Sequence, residues 1–244
     1  MDYVIGCDVG SQSTRAVLLS LDGQLIGQAS ESYSIDYPRP VWAEQPVERW
    51  TNALTLAIRR LLAATSVEPE RVRGLGLASQ VEGVVPIDAA GQPLRSAIIW
   101  MDRRATAQCE RVRQAMGNEA ALQITGLNLD ASHVAPKIRW IADHQPETYA
   151  QAAYFLLPGS YVAYTLTGER AVDYSNASAT LLMDIRTRSW SPEMCARFGI
   201  DQHTLAPISG ATTPLGALRP VVAEALGLSR STIVVTGSGD EHAA

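Results

Sequence analysis

The opening of the chain constrains its fold more than any later stretch. Val4-Ile5-Gly6-Cys7-Asp8-Val9-Gly10 is a β-rich run, Ser11-Gln12-Ser13-Thr14-Arg15 a polar loop, and Ala16-Val17-Leu18-Leu19 a second apolar run. Asp22-Gly23 then precedes a third apolar run, a strong short-range hairpin signal. The segment reads strand, loop, strand, tight turn, strand. An acid at a strand end, followed by a Gly/Ser/Thr turn, suits phosphate and a divalent cation. Glycine lets the backbone approach closely, turn amides and hydroxyls donate to phosphate oxygens, and a carboxylate holds Mg2+, usually through water. The spacing matches neither a P-loop nor a dinucleotide fingerprint.

Later segments place helices around these strands. Pro46 opens a helix expected to run to about Ala64, with Trp50, Leu54, Ile58, Leu61 and Leu62 on one face. Val72 to Ala78 reads as a strand. Val84–Ile87 and Ala97–Trp100 read as a hairpin around Ala89-Ala90-Gly91, and Arg103–Met116 as an amphipathic helix. The stretch from about Asn118 to Thr167 is mostly helical, and Asp173-Tyr174-Ser175-Asn176 reads as a loop. Val221–Leu226 suggests a helix ended by Gly227. Ile233-Val234-Val235-Thr236 is a buried strand that breaks into Gly237-Ser238-Gly239-Asp240-Glu241. Antiparallel strands first, then strands alternating with helices, predict an α/β chain with a mixed sheet.

Composition excludes several functions. The 244 residues, 46% of them hydrophobic, supply a sizeable core. Twenty basic against 25 acidic side chains argue against a general nucleic-acid surface. Cys7, Cys109 and Cys195 form no CxxC pair, and the four histidines show no metal spacing. No basic segment with an apolar stretch opens the chain, and no apolar run reaches about 18 residues. A cytoplasmic protein without a membrane partner is expected. An acidic, glycine-rich loop so near the last residue suggests a piece of something longer.

Candidate chemistry gathers at strand ends. Asp8 and Asp240 both stand beside glycines just past apolar runs, where open α/β sheets place ligands. If their strands are neighbours, one carboxylate anchors Mg2+ and the other accepts a proton from a substrate hydroxyl, which is most of what phosphoryl transfer asks of protein groups. The other reading of each acid is a turn cap. Gln80 and Glu82 suit several hydroxyls of a sugar or polyol, or else form a solvated turn. Trp100 offers an indole face for a polyol's C–H surface, beside Asp102, Arg103 and Arg104, which also read as a capped helix start.

Together these motifs resemble the amino-terminal half of the FGGY carbohydrate kinases, the family of xylulokinase and glycerol kinase. Asp8 to Arg15 is similar to the first phosphate loop of the family, Trp42-Ala43-Glu44-Gln45-Pro46 to its W-x-E-Q/H segment, and Ile99 to Arg104 to its Asp-Arg motif. Lys137-Ile138-Arg139-Trp140-Ile141 and Asp173 to Ser178, followed by Met183-Asp184-Ile185 and Trp190, resemble two further blocks. The resemblance covers essentially residues 1–244 and implies one lobe of an actin-like ATPase (ribonuclease H-like), with a carboxy-terminal nucleotide-binding lobe outside this sequence.

The implied activity is transfer of the γ-phosphate of ATP to a small sugar or polyol. Asp240 would be the base, and Asp8 with Asp240 would hold Mg2+. Gly10, Ser11, Gln12, Ser13, Thr14 and Arg15 would line the phosphate path. Gln80, Glu82, Trp100, Asp102, Asp173 and Glu241 would meet the sugar. The resemblance leaves room for a homodimer, and a lobe alone is expected to turn over little, since half a cleft does not exclude water. Two departures from the family stand out. Val81-Glu82 replaces the Met-His usual in xylulokinases and the Arg-Glu usual in glycerol kinases, and Glu241 stands where Asn or Gln is common. A glycerol- or erythritol-type polyol kinase and a non-catalytic sugar-binding regulatory lobe are the competing expectations.

Overall fold

The computed structural model describes residues 1–243. Three antiparallel strands open it: β1 (Tyr3–Val9), β2 (Ser13–Ser20) and β3 (Leu25–Ser32). Gly23 takes a φ of 87° in the turn between β2 and β3, a conformation that costs glycine nothing. Burial alternates along the strands: Ile5, Cys7 and Val9, then Thr14, Ala16, Leu18 and Ser20, face the core. Strand Val72–Ser79 pairs parallel to β1, and Ile233–Val235 and Ser238–Gly239 pair parallel to Val72–Ser79. Pro214–Ala217 closes that edge antiparallel. The sheet is mixed, as its sequence order implied.

Helix α1 (Glu48–Thr65) buries Trp50, Ala53, Leu54, Ala57, Ile58 and Leu61 at helical spacing. It packs on β2 and β3, and helix Pro158–Thr167 packs on Val72–Ser79 and touches α1. Gly27 permits this closeness, because a Cβ there would stand 2.6 Å from the Thr65 side chain. The other face of the central strands is floored by Gly6, Gly76 and Ala78 and bounds an open cavity of about 380 Å3, with Cys7, Val17, Leu77 and Val235 in its walls. Parallel strands ordinarily carry cover on both faces. Asp8 and Arg15 also line this cavity.

Three sequence expectations are corrected. Val84 and Ile98 do exchange backbone hydrogen bonds, at 2.9 and 3.1 Å. Yet Val85–Ile87 pairs mainly with Tyr154–Leu156, and Ala97–Ile98 pairs with Glu44–Gln45. The expected hairpin is present as the antiparallel bridges Val84–Ile98 and Ile87–Pro93 around an Asp88–Gln92 turn, but it is short, because each of its strands also finds a longer-range partner. Tyr154–Leu156 is itself a strand inside the stretch read as helical. Residues 173–176, read as a loop, begin the short helix Tyr174–Ser178 with Asp173 as its N-cap. The three cysteines are free and buried, and among the described residues no helix is long and apolar enough to cross a membrane.

Candidate active site

Strand register brings the two acids to one edge of the sheet. Asp8 is level with Ala78, Ala78 is level with Ser238, and Ser79 is level with Gly239. Asp8 and Asp240 thus emerge on either side of a single strand. Burial raises the Asp240 pKa above the ordinary carboxylate range, and the charges of Asp8 and Glu241 raise it further. Its Oδ1 accepts the Glu241 amide at 2.9 Å, which works the other way. Burial also raises Asp8, partly offset by Arg15, its cross-strand neighbour on β2. Two carboxylates that feel each other at a water-facing edge are a donor set suited to Mg2+, which binds one or two protein carboxylates and completes its shell with waters and phosphate oxygens. Among the described residues there is no group of three or more His, Cys, Asp or Glu placed to hold a metal, so the fit is to this open, water-rich mode.

The loop between β1 and β2 is held by its carbonyls. Tyr33 Oη donates to Gly10 O at 2.7 Å, and Gln80 Nε2 donates to the same oxygen at 3.3 Å. Gln45 Nε2 donates to Ser11 O at 2.7 Å, and the Tyr33 amide donates to Gln12 O at 2.9 Å. Among the described residues no protein oxygen accepts from the amides of Ser11 and Gln12. Carbonyls turned inward and amides left free make a surface for an anion. Gly10 closes the turn by donating to Ser13 O at 3.0 Å.

Trp100 stands above this loop. Its Nε1 donates to Ser11 Oγ at 2.8 Å, and 42% of the residue remains exposed, so the indole face is open to a ligand. Glu82 lies on the adjacent turn with a φ of 59°. Its carboxylate meets His133 Nδ1 at 2.7 Å, and Lys137 Nζ donates to its carbonyl at 2.7 Å. Burial pushes the Glu82 carboxyl up, but the hydrogen bond and charge of His133 and the charge of Lys137 outweigh it, and the pKa is lowered. The neighbouring Val81 packs on the strand that delivers Asp240, since a Cβ on Gly239 would stand 2.7 Å from Val81 Cγ1.

Four expected ligands face inward. Thr14 is fully buried, because strand alternation turns it to the core, and its hydroxyl pairs with Tyr33 Oη at 3.2 Å. Gln80 is 1% exposed and braces Gly10 and Gln45 Oε1. Asp102 is fully buried and accepts from the Ala43 amide at 2.6 Å and from Arg104 through both oxygens. Asp173 is buried as the cap of its helix. These are braces, with no free face for a sugar. Ser13, Arg15 and Glu241 keep an open side. Gln45, Tyr33, Lys137, His133 and Ser175 join the site without having been singled out. Gln45 lies in the quoted W-x-E-Q segment, and Lys137 is the only lysine in the chain.

Behind the site, the two tryptophan motifs form one buried knot. Arg104 stacks 3.7 Å from the centroid of Trp42, and its Nη1 lies 2.6 Å from Glu44 Oε1 without an aligned hydrogen bond. Arg95 also pairs with Glu44. The pairing of Glu44–Gln45 with Ala97–Ile98 brings these motifs together, which fixes both Gln45 and Trp100.

The profile of the "FGGY family of carbohydrate kinases, N-terminal domain" matches residues 3–244. The chain belongs to this family. As an FGGY domain it is 32% identical over 240 residues to the xylulose kinase of Bacillus subtilis (strain 168), covering 98% of this chain and 48% of that protein. It is 35% identical over 254 residues to the glycerol kinase of Polaromonas sp., covering 100% of this chain and 50% of that protein. The structure of the xylulose kinase from Rhodospirillum rubrum matches with a TM-score of 0.92 and 28% identity, over 98% of this chain and 49% of that one. The chain spans about half the length of the relatives it matches. Its mixed sheet flanked by helices is an actin-like ATPase lobe.

Proposed function

We propose that this FGGY domain is the sugar-binding lobe of an ATP-dependent kinase for a small sugar or polyol, acting with a nucleotide-binding lobe that lies outside these residues. The observation that carries the reading is the edge where Asp8, Asp240, the free amides of Ser11 and Gln12, and the open face of Trp100 stand together. Asp240 takes the proton of the attacking hydroxyl as that oxygen bonds to the γ-phosphorus. The bond from phosphorus to the β–γ bridging oxygen breaks, and ADP leaves with the electron pair. A raised pKa makes Asp240 a better proton acceptor than an ordinary aspartate. Bound Mg2+ neutralises charge on the phosphates. Asp8 helps hold it, the loop amides orient phosphate oxygens, and the Trp100 face covers the sugar.

Xylulose is the first acceptor to test, given the xylulose kinase relatives. A polyol such as glycerol or erythritol is the second, favoured by the carboxylate of Glu82 at a position where xylulokinases usually carry His. The protein with both lobes, assayed on a sugar and polyol panel with Mg-ATP, is expected to phosphorylate one class. Turnover at near wild-type rate in Asp240→Ala would overturn the assigned base. Sugar binding by calorimetry with no nucleotide effect would favour a regulatory lobe instead. The same panel run on the 244-residue chain alone is expected to give little product.

A further inference from the structure

The turn that delivers Asp240 is short, and the bonds that secure it come from a different part of the chain. Ser238–Gly239 pairs with only two residues of Val72–Ser79, and Gly237 has a φ of 86°. The Gly239 amide, immediately before Asp240, donates to Ser175 Oγ at 3.0 Å. Ser175 Oγ donates in turn to Asp173 Oδ2. Asp173 is buried, and its other bonds come from the Ser175 amide at 2.8 Å, the Asn176 amide at 3.4 Å and Asn176 Nδ2 at 2.6 Å.

Because the hydroxyl proton is committed to a buried carboxylate, the oxygen has only lone pairs left for Gly239. The polarity of the contact is fixed, and a charge-assisted bond at one end strengthens the bond at the other. A second tie runs alongside: Ile208–Ser209 pairs with Val172–Asp173, and Ser209 Oγ lies 2.9 Å from Thr236 Oγ1 on the same delivering segment.

We propose that Ser175 is a positioning residue that sets the place of Asp240 through the Gly239 amide, and that Asp173 acts through Ser175 without touching the sugar. The proposal rests on the reading of Asp240 as the base. It assigns Asp173 a role different from the sugar contact that resemblance implied.

The experiment is Ser175→Ala, Ser175→Thr and Asp173→Asn in the protein carrying both lobes, with hydrogen exchange at the Gly239 amide measured in the same variants. Ser175→Ala is expected to lower kcat about three- to tenfold, the loss of one hydrogen bond, with KM for the sugar within about twofold of wild type. Ser175→Thr keeps the oxygen and is expected to recover most of kcat. Gly239 exchange is expected to quicken in Ser175→Ala, and Asp173→Asn is expected to fall between that variant and wild type on both readouts.

A rise in KM at constant kcat, in Ser175→Ala or Asp173→Asn, would overturn the proposal by showing a direct sugar contact. Unchanged Gly239 exchange in Ser175→Ala would overturn it as well. If the wild-type protein phosphorylates nothing in the panel, the functional reading fails, whereas the exchange measurement still decides the latch.

Discussion

The loop between β1 and β2 and the Asp240 turn stand on either side of one strand, yet they are secured in different ways. The loop between β1 and β2 is braced through three carbonyls by Tyr33, Gln45 and Gln80, and Trp100 holds its Ser11 hydroxyl. Those braces are neutral, and Gln45 and Gln80 are buried and bonded to each other. The Asp240 turn leans on the Ser175 hydroxyl, a Thr236 contact and two paired residues, and the charges of Asp8 and Glu241 add to the burial that raises the Asp240 pKa. The difference suits the two tasks proposed for them. An anion cradle works best when its amides are fixed beforehand, whereas a base needs a carboxylate held at some cost in electrostatic energy.

Substitutions on each side test that division. The largest effect is expected from Asp240→Asn, which leaves the shape but removes the proton acceptor; kcat should fall by about 10^2 to 10^4 in a sugar kinase assay. Thermal unfolding of that same variant near neutral pH should show a small gain in stability. The sign follows from the raised pKa: ionisation is disfavoured in the folded lobe, so the penalty exists only above the unfolded pKa and disappears in acid. Equal midpoints for the two proteins near pH 7 would contradict the strained-base half of the comparison.

Gln45→Ala should behave in the opposite sense. It strips buried partners from Ser11 O, Trp50 Nε1 and Gln80 Nε2 at once. A destabilisation of about 2–4 kcal/mol is expected from urea unfolding, larger than for any single change at the Asp240 turn. A loss under about 0.5 kcal/mol would mean that the loop is not braced from below. Trp100→Ala should raise the sugar KM by roughly five- to twentyfold with a smaller change in kcat, as expected of a face that covers substrate.

The subtlest prediction concerns Lys137. Burial pulls its pKa down to about 7, against the charges of Glu82 and Asp102. Between about pH 7 and 10 the unfolded chain therefore binds more protons at this residue than the folded one, and stability should rise with pH by up to about 1.4 kcal/mol per unit from this group. Lys137→Met should flatten that slope when stability is followed by denaturant melts across the range. An unchanged slope would place the proton difference elsewhere.

Much of this was legible in the sequence, and the parts that were not share a cause. The β1–β2–β3 meander, α1 and the strand before Asp240 are written in local patterns of alternation, helical spacing and turn residues. The pairing of Glu44–Gln45 with Ala97–Ile98 is not local, and short strands carry too few residues to declare their partner. Residue type pointed to Thr14, Gln80, Asp102 and Asp173, but type does not reveal which way a polar side chain faces. Thr14 turns inward by strand alternation, Asp102 is drawn in by Arg104, and Asp173 is taken up by the helix it caps. Ser175 lay in plain view beside Asp173; its partner, the Gly239 amide, is 64 residues away.

Titrating the Asp240 carboxyl by NMR, in wild type and in Asp8→Asn, addresses the convergence of the two acids most directly. Removing the Asp8 charge is expected to lower the Asp240 pKa toward the ordinary aspartate range. An Asp240 titration that does not move when Asp8 loses its charge would contradict that convergence.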